Sequence, residues 1–207
     1  MSPRAAAWLA WSLAAVGMLL VALTLLLILL GRSTPLAEGW VSWRAQAILS
    51  LGLIGTPILG GLLASRRPEN PYGWLWLVLG ISFGLVTFAQ VYAAYALAAD
   101  PGSLPGPRIA GTLVAGVGWS VSMIVLPFVF LLFPTGRLPS RRWRFVAWFV
   151  LVAGAVLLSV VPFGPGEGGF APVENPLGVG GGIGKAITIF AVAAVMVIFV
   201  GIVLSAL

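Results

Sequence analysis

Two basic clusters carry most of the chemistry this chain can offer. Arg137, Arg141, Arg142 and Arg144 are four of its eleven basic residues, and Arg66 and Arg67 form a second group beside Glu69. Guanidinium groups crowded in this way bind phosphate or carboxylate, or mark the cytoplasmic ends of membrane segments. Neither cluster has an imidazole or a thiolate to work with, because the sequence holds no histidine and no cysteine. That removes the usual proton shuttle, the commonest metal ligand, thiolate chemistry and any phosphoaccepting imidazole. No catalytic residue, metal or cofactor is expected.

Two further constellations invite a functional reading. The run Gly178-Val179-Gly180-Gly181-Gly182-Ile183-Gly184-Lys185-Ala186 superficially suggests a phosphate-binding loop. Val179 stands where the first glycine is required, and Ala186 replaces the metal-binding hydroxyl, so it reads as a flexible loop. Gln90, Tyr92 and Tyr95 are polar groups in an apolar stretch, near the rigid Asp100 to Pro107 turn, and are candidates to line a small outward-facing pocket. Interhelical hydrogen bonds and interfacial tyrosine are the plainer account of the same residues.

The elements that must position these groups are membrane helices. Hydrophobic residues make up 60% of the chain, charged residues 8%, and the mean hydropathy is +1.11. A water-soluble domain of this size needs far more polar surface. The expected fold is one all-α domain over 1–207, a six-transmembrane-helix bundle with short loops. Its helices are expected at about 5–30, 45–64, 72–98, 108–133, 143–161 and 185–207. At about 1.5 Å per residue each can cross a hydrocarbon core of about 30 Å. The first is too long for a signal peptide and is read as a retained span. Pro57 should kink the second, and Gly80 and Gly84 have the spacing of a packing motif in the third. Trp8, Trp11, Trp40 and Trp43 bracket the first hairpin as an interfacial aromatic belt would.

Charge gives the expected orientation. Arg4, Arg66, Arg67, Arg137, Arg141, Arg142 and Arg144 fall at the N-terminus and in the second and fourth loops. Arg32, Arg44, Arg108 and Lys185 fall on the other side. The richer side is expected to be cytoplasmic, which places both termini there. The net charge of +6 is then topogenic, facing anionic headgroups, and not a nucleic-acid surface. Of the acids only Glu69 lies on that side; Glu38, Asp100, Glu167 and Glu174 lie opposite. Glu69 is expected to pair either with an arginine of the fourth loop, tying the two basic loops together, or with its neighbours Arg66 and Arg67. Arg108, Arg144 and Lys185 stand at the very ends of their expected spans and the hydrocarbon interiors hold no charged residue, which argues against a proton-coupled transporter, an ion pump or an intramembrane hydrolase.

At the two basic loops the chain resembles a known family. Arg66-Arg67-Pro68-Glu69-Asn70-Pro71-Tyr72-Gly73-Trp74 and Leu132-Phe133-Pro134-Thr135-Gly136-Arg137-Leu138-Pro139-Ser140-Arg141-Arg142-Trp143 are similar to two signatures of one module. That module is the multi-pass membrane input region of bacterial sensor histidine kinases, chiefly from high-GC Gram-positive bacteria. Tyr95-Ala96-Leu97 with Asp100 to Gly106, and Glu174-Asn175-Pro176-Leu177-Gly178, fit the family's third and last outer connections. The resemblance implies a sensory module in the bacterial plasma membrane that passes an envelope or membrane stimulus through its sixth helix. It implies a homodimer, and as further partner a cytoplasmic kinase domain in cis or another membrane protein. The chain departs from the family after its last span, with no phosphoaccepting histidine and no nucleotide motif, so as given it does not autophosphorylate. It is expected to be either a piece of a longer kinase or a stand-alone module. The alternatives are a small-solute permease subunit and an accessory or structural membrane protein.

Overall fold

A computed structural model describes residues 2–133, 135–138, 140–165 and 172–206. Pro134 and Pro139 of the fourth loop, Glu167 and Leu207 lie outside the described residues. Among the described residues every regular element is helical. Six helical spans are long and apolar enough to cross a membrane: Pro3–Gly31, Trp43–Arg66, Pro71–Ala99, Pro107–Leu131, Trp143–Phe163 and Gly181–Gly201. The protein is a multi-pass, all-helical membrane protein.

Local chemistry explains where the spans begin and break. Ser2 caps the first span through its hydroxyl, which accepts from the Ala5 N–H, and Pro3 takes the first helical position. Ser42 does the same for the second, accepting from Ala45. The second span is broken, with helices Trp43–Gly52 and Gly55–Arg66 on either side. The expected kink therefore lies just before Pro57, which sits in the first turn of the second half. Pro57 has no N–H for the Leu53 carbonyl; the Thr56 N–H and hydroxyl donate to that oxygen instead, at 3.1 and 2.5 Å.

Where the third and fourth spans meet their connecting turn, both are wound as π-turns, Tyr95–Ala99 and Ala110–Val114, flanking the Asp100 to Gly106 turn. The sixth helix, Gly181–Ala206, begins four residues before the expected Lys185. Its first turn is built from glycines that intrinsic propensity assigns to a loop, so the glycine-rich run is helical from Gly181 onward.

Consecutive spans run antiparallel, which leaves the first and third parallel. Ala10 and Ala14 meet Ala64 and Leu77 near one end, while Ile28 meets Trp43, Val91 and Ala94 near the other. The third span is the axis: 61% of its central window is buried, against 17% for the sixth. It is packed by the first, second and fourth spans. The fifth and sixth pair with each other through Ala153, Leu157, Ala194 and Ile198, and rest on the fourth through Trp119 and Met123. Large apolar side chains cover the perimeter, including Trp8, Phe145, Trp148, Phe149 and Phe199. In water such a surface would aggregate; against acyl chains it is in its proper solvent.

Two faces follow from this arrangement. The N-terminus, the turn after Arg66, the turn after Leu131 and the end of the sixth helix share one face, here the N-terminal face. The first, third and fifth loops share the opposite face. Of the four belt tryptophans, Trp8 and Trp11 are exposed as expected, but Trp40 is half-buried and Trp43 is core. Trp43 is drawn in because Gly31 offers it a bare backbone: a methyl group at Gly31 would lie 3.0 Å from the indole ring. Its Nε1–H donates to the Thr34 carbonyl at 3.0 Å, closing the first loop over the helix ends.

Candidate functional site: two interlocked loops on the N-terminal face

The second loop is a tight turn in which each distinctive residue has a mechanical task. Asn70 caps the third span, its Oδ1 accepting from the Tyr72 N–H at 2.9 Å, and Pro71 follows at the first helical position. Trp74 Nε1–H donates back to the Pro68 carbonyl at 3.0 Å, which fixes the turn against its own helix. Gly73 lets the third span lie directly on the end of the second; a methyl group there would collide with the Ala64 nitrogen and lie 2.9 Å from the Leu63 carbonyl carbon.

The fourth loop reaches across to this turn. Leu131 ends its helix, and the Gly136 N–H donates to the Leu132 carbonyl at 2.7 Å. Gly136 has φ +73°, a left-handed conformation that an L side chain adopts only at a cost. Its bare Cα faces Asn70: a methyl group would collide with Asn70 Oδ1 and come within 2.9 Å of Pro71 Cδ. Beside it the Phe133 and Tyr72 rings pack with centroids 5.7 Å apart, tilted by 59°, and Tyr72 meets Trp76 edge-on. Thr135 Oγ1 accepts from the Arg137 N–H at 3.3 Å and helps shape the turn.

The expectation that the two basic loops are tied together is met by different residues. The Glu69 side chain is exposed and makes no ion pair among the described residues. Arg66, Arg67, Arg137, Arg141, Arg142 and Arg144 are likewise exposed. The join is made by the neutral Asn70, Gly136, Tyr72 and Phe133. The reason is solvation: exposed charges gain little by pairing, about 0–1 kcal/mol, and remain hydrated. The arginines are instead presented outward, as a cationic surface around a neutral clasp.

The three residues expected to line an outward pocket go three ways. Gln90 Oε1 accepts from Gln46 Nε2 at 2.7 Å, across the second and third spans. Tyr92 donates its hydroxyl to the Pro105 carbonyl at 2.9 Å, strapping the third loop. Tyr95 packs on Gly31 within the Trp43 cluster. Residues two apart on a helix face opposite sides, so no single pocket can collect Gln90 and Tyr92.

Other intramembrane hydroxyls are satisfied within their own helices. Thr24, Ser82, Thr87, Ser120 and Ser122 donate to carbonyls of their own helices, as Ser50 does to the Gln46 carbonyl. The Gln46–Gln90 bond does run between helices, and it leaves Gln46 Oε1 buried without a partner.

The opposite face has its own loop chemistry. Asn175 Nδ2 donates to the Pro162 and Gly164 carbonyls at 2.9 and 3.0 Å, and its Oδ1 accepts from Leu177 N–H. The Asn-Pro-Leu-Gly run is thus a clamp on the C-terminal end of the fifth span. The sequence did not point to one further feature, a cavity between the first loop and the ends of the first two spans, lined in part by Arg32 and Arg44. Its only sequence signal is a basic residue at each end of a short polar loop. Compared with family models, curated proteins and solved structures, the chain has no match.

Proposed function

We propose that this chain is the membrane input module of a bacterial two-component sensor histidine kinase, with the N-terminal face in the cytoplasm. The observation that carries the reading is the clasp itself. The two loops whose motifs resemble that family's signatures meet through the motif residues Asn70, Pro71, Tyr72, Phe133 and Gly136. They do so on the face where the sixth helix ends, since Gly201 lies against Val150 and Val146 near the start of the fifth span. Seven of the eleven basic residues belong to that face, which supports its being the cytoplasmic one.

The mechanism is a shift of one packed unit against another. The second, third and fourth spans are held at backbone distance, while the fifth and sixth spans lean on them through side chains. A stimulus that favours one seating of that pair would displace the sixth helix by about 1–2 Å, a shift typical of helices that transmit signals. The fourth loop joins the core to the moving pair, so the clasp sets where the fifth span starts.

The test reads the frame beyond codon 207 and assays the full-length product in membrane vesicles. A histidine-bearing helical hairpin with an ATP-binding domain, autophosphorylating with a rate altered by Gly136→Ala, is expected. A stop codon there, with no kinase gene beside it and solute flux in vesicles of the chain alone, would sink the proposal in favour of a permease.

A further inference from the structure

We propose that the cavity under the first loop is a binding site for an anionic amphiphile, a phosphate-bearing headgroup that carries its own acyl chain. The cavity measures about 870 Å³, within the range of about 300–1,000 Å³ usual for ligand sites. It lies where the first two spans emerge on the opposite face. The proposal does not rest on the kinase reading, because binding is a property of this chain alone.

The walls divide by chemistry. Ile28, Leu36, Trp40, Trp43 and Ala47 make an apolar floor. Trp43 is fixed in place by Gly31 and by its bond to Thr34, so the floor is preformed. At the rim stand Arg32 and Arg44, one at each end of the loop, both exposed and neither paired with a carboxylate among the described residues. The loop's own acid, Glu38, does not line the cavity. Ser42 gives its oxygen to the Ala45 N–H and keeps its hydroxyl proton free for an acceptor.

Two guanidiniums lining one cavity, neither paired with a carboxylate among the described residues, suit a doubly accepting anion, and phosphate matches their planar donors. A soluble anion would leave the indole floor unused. An acyl chain has a path: Ile48 lies one helical turn beyond Arg44 on the same helix face and is 71% exposed. The headgroup would sit between the arginines and the chain would run down over Ile48 into the bilayer.

The experiment uses the purified full chain in a neutral detergent. It is titrated with a short-chain phosphatidylglycerol, the matching phosphatidylcholine, and glycerol phosphate. Phosphatidylglycerol is expected to bind at least about tenfold more tightly than either of the others, as two charge-assisted contacts require. Arg32→Gln/Arg44→Gln should bring phosphatidylglycerol and phosphatidylcholine to within about twofold, whereas Arg32→Lys/Arg44→Lys keeps most of the preference and shows that folding is intact. Arg66→Gln/Arg67→Gln removes the same charge from the other face and should leave the preference in place. Equal loss from the two Gln pairs, or glycerol phosphate binding as tightly as the lipid, would overturn the proposal.

Discussion

The four-span core and the fifth–sixth pair use the same residue, glycine, to opposite ends. In the core, glycines bring backbone onto backbone. A methyl group at Gly60 would lie 2.6 Å from the Leu77 nitrogen, one at Gly80 2.9 Å from the Pro57 nitrogen, and one at Gly118 3.1 Å from the Ser82 carbonyl. In the pair, the atoms nearest a methyl group at Gly154 belong to the Ile124 side chain, and those nearest one at Gly201 to the Val150 and Val146 side chains. A backbone atom cannot step aside without moving its helix, while a side chain can change its seating. The core is therefore the more tightly registered unit, and the proposed movement belongs to the pair. In a bilayer, where apolar burial does not drive helices together, that difference in close packing is the main source of selective stability.

The most severe test of this contrast is Gly60→Ala. Alanine is the better helix former by about 1 kcal/mol, yet the Leu77 nitrogen and the Trp76 carbonyl carbon leave it no room. A net loss of about 3 kcal/mol is expected, as for a badly overpacked core, read as a lower unfolding midpoint in mixed micelles. Wild-type stability in this variant would mean the second and third spans are not held at backbone distance. Next in size is Gly136→Ala. The left-handed φ of +73° costs alanine about 1–2 kcal/mol, and its methyl group displaces Asn70 from the cap it makes with Tyr72, worth about 1 kcal/mol. Hydrogen exchange should rise at residues 68–73 and 135–138 together. A rise in one loop alone would show that they are not clasped.

The six spans were legible because apolar length is a strong signal, and their order and number needed nothing else. Boundaries were less so. Glycine's low helix propensity hid the start of the sixth helix, which opens at Gly181 with a left-handed φ of +67° that suits glycine. The break before Pro57 was legible as a kink, but its position required knowing that Thr56 would satisfy Leu53. Trp43 looked interfacial because its composition and place suit a belt; only packing against Gly31 makes it core. The clasp was half legible. The motifs pointed to both loops, but charge drew attention to Glu69 and the arginines, whereas contact at this distance belongs to uncharged groups and a bare glycine. The separation of Gln90, Tyr92 and Tyr95 was available from helical geometry alone. Their partners were not, since each lies on another element.

Within the core, Gln90→Leu sharpens what the polar residues contribute. It leaves the Gln46 side-chain amide buried at the second span with no partner for either end, since Gln46 Oε1 already has none. A loss of about 1–2 kcal/mol is expected, and the double change Gln46→Leu/Gln90→Leu should recover most of it, because removing both partners abolishes the unmet demand. The readout is a double-mutant cycle on unfolding in micelles. Additive losses would show that the pair is not coupled and that the third span is positioned by packing alone.

The smallest effect expected is the most informative for the pair: Gly201→Ala. The new methyl group would lie 2.7 Å from Val150 Cγ2, and Val150 is buried and stiff about its first torsion. The strain is relieved by a small movement of the sixth helix away from the fifth, since no backbone atom blocks it. That costs about 1 kcal/mol, roughly offset by the gain in helix propensity, so stability should stay within about 1 kcal/mol of wild type. What should change is position. Disulfide cross-linking between cysteines introduced at Val146 and at Val197 or Val200, which line one crevice between the two helices, should report a shifted pattern of contacts, and Val150→Ala should restore the original pattern in the alanine background. If Gly201→Ala instead costs as much as Gly60→Ala with the cross-linking pattern unchanged, the sixth helix is seated as rigidly as the core and has no second position to move to.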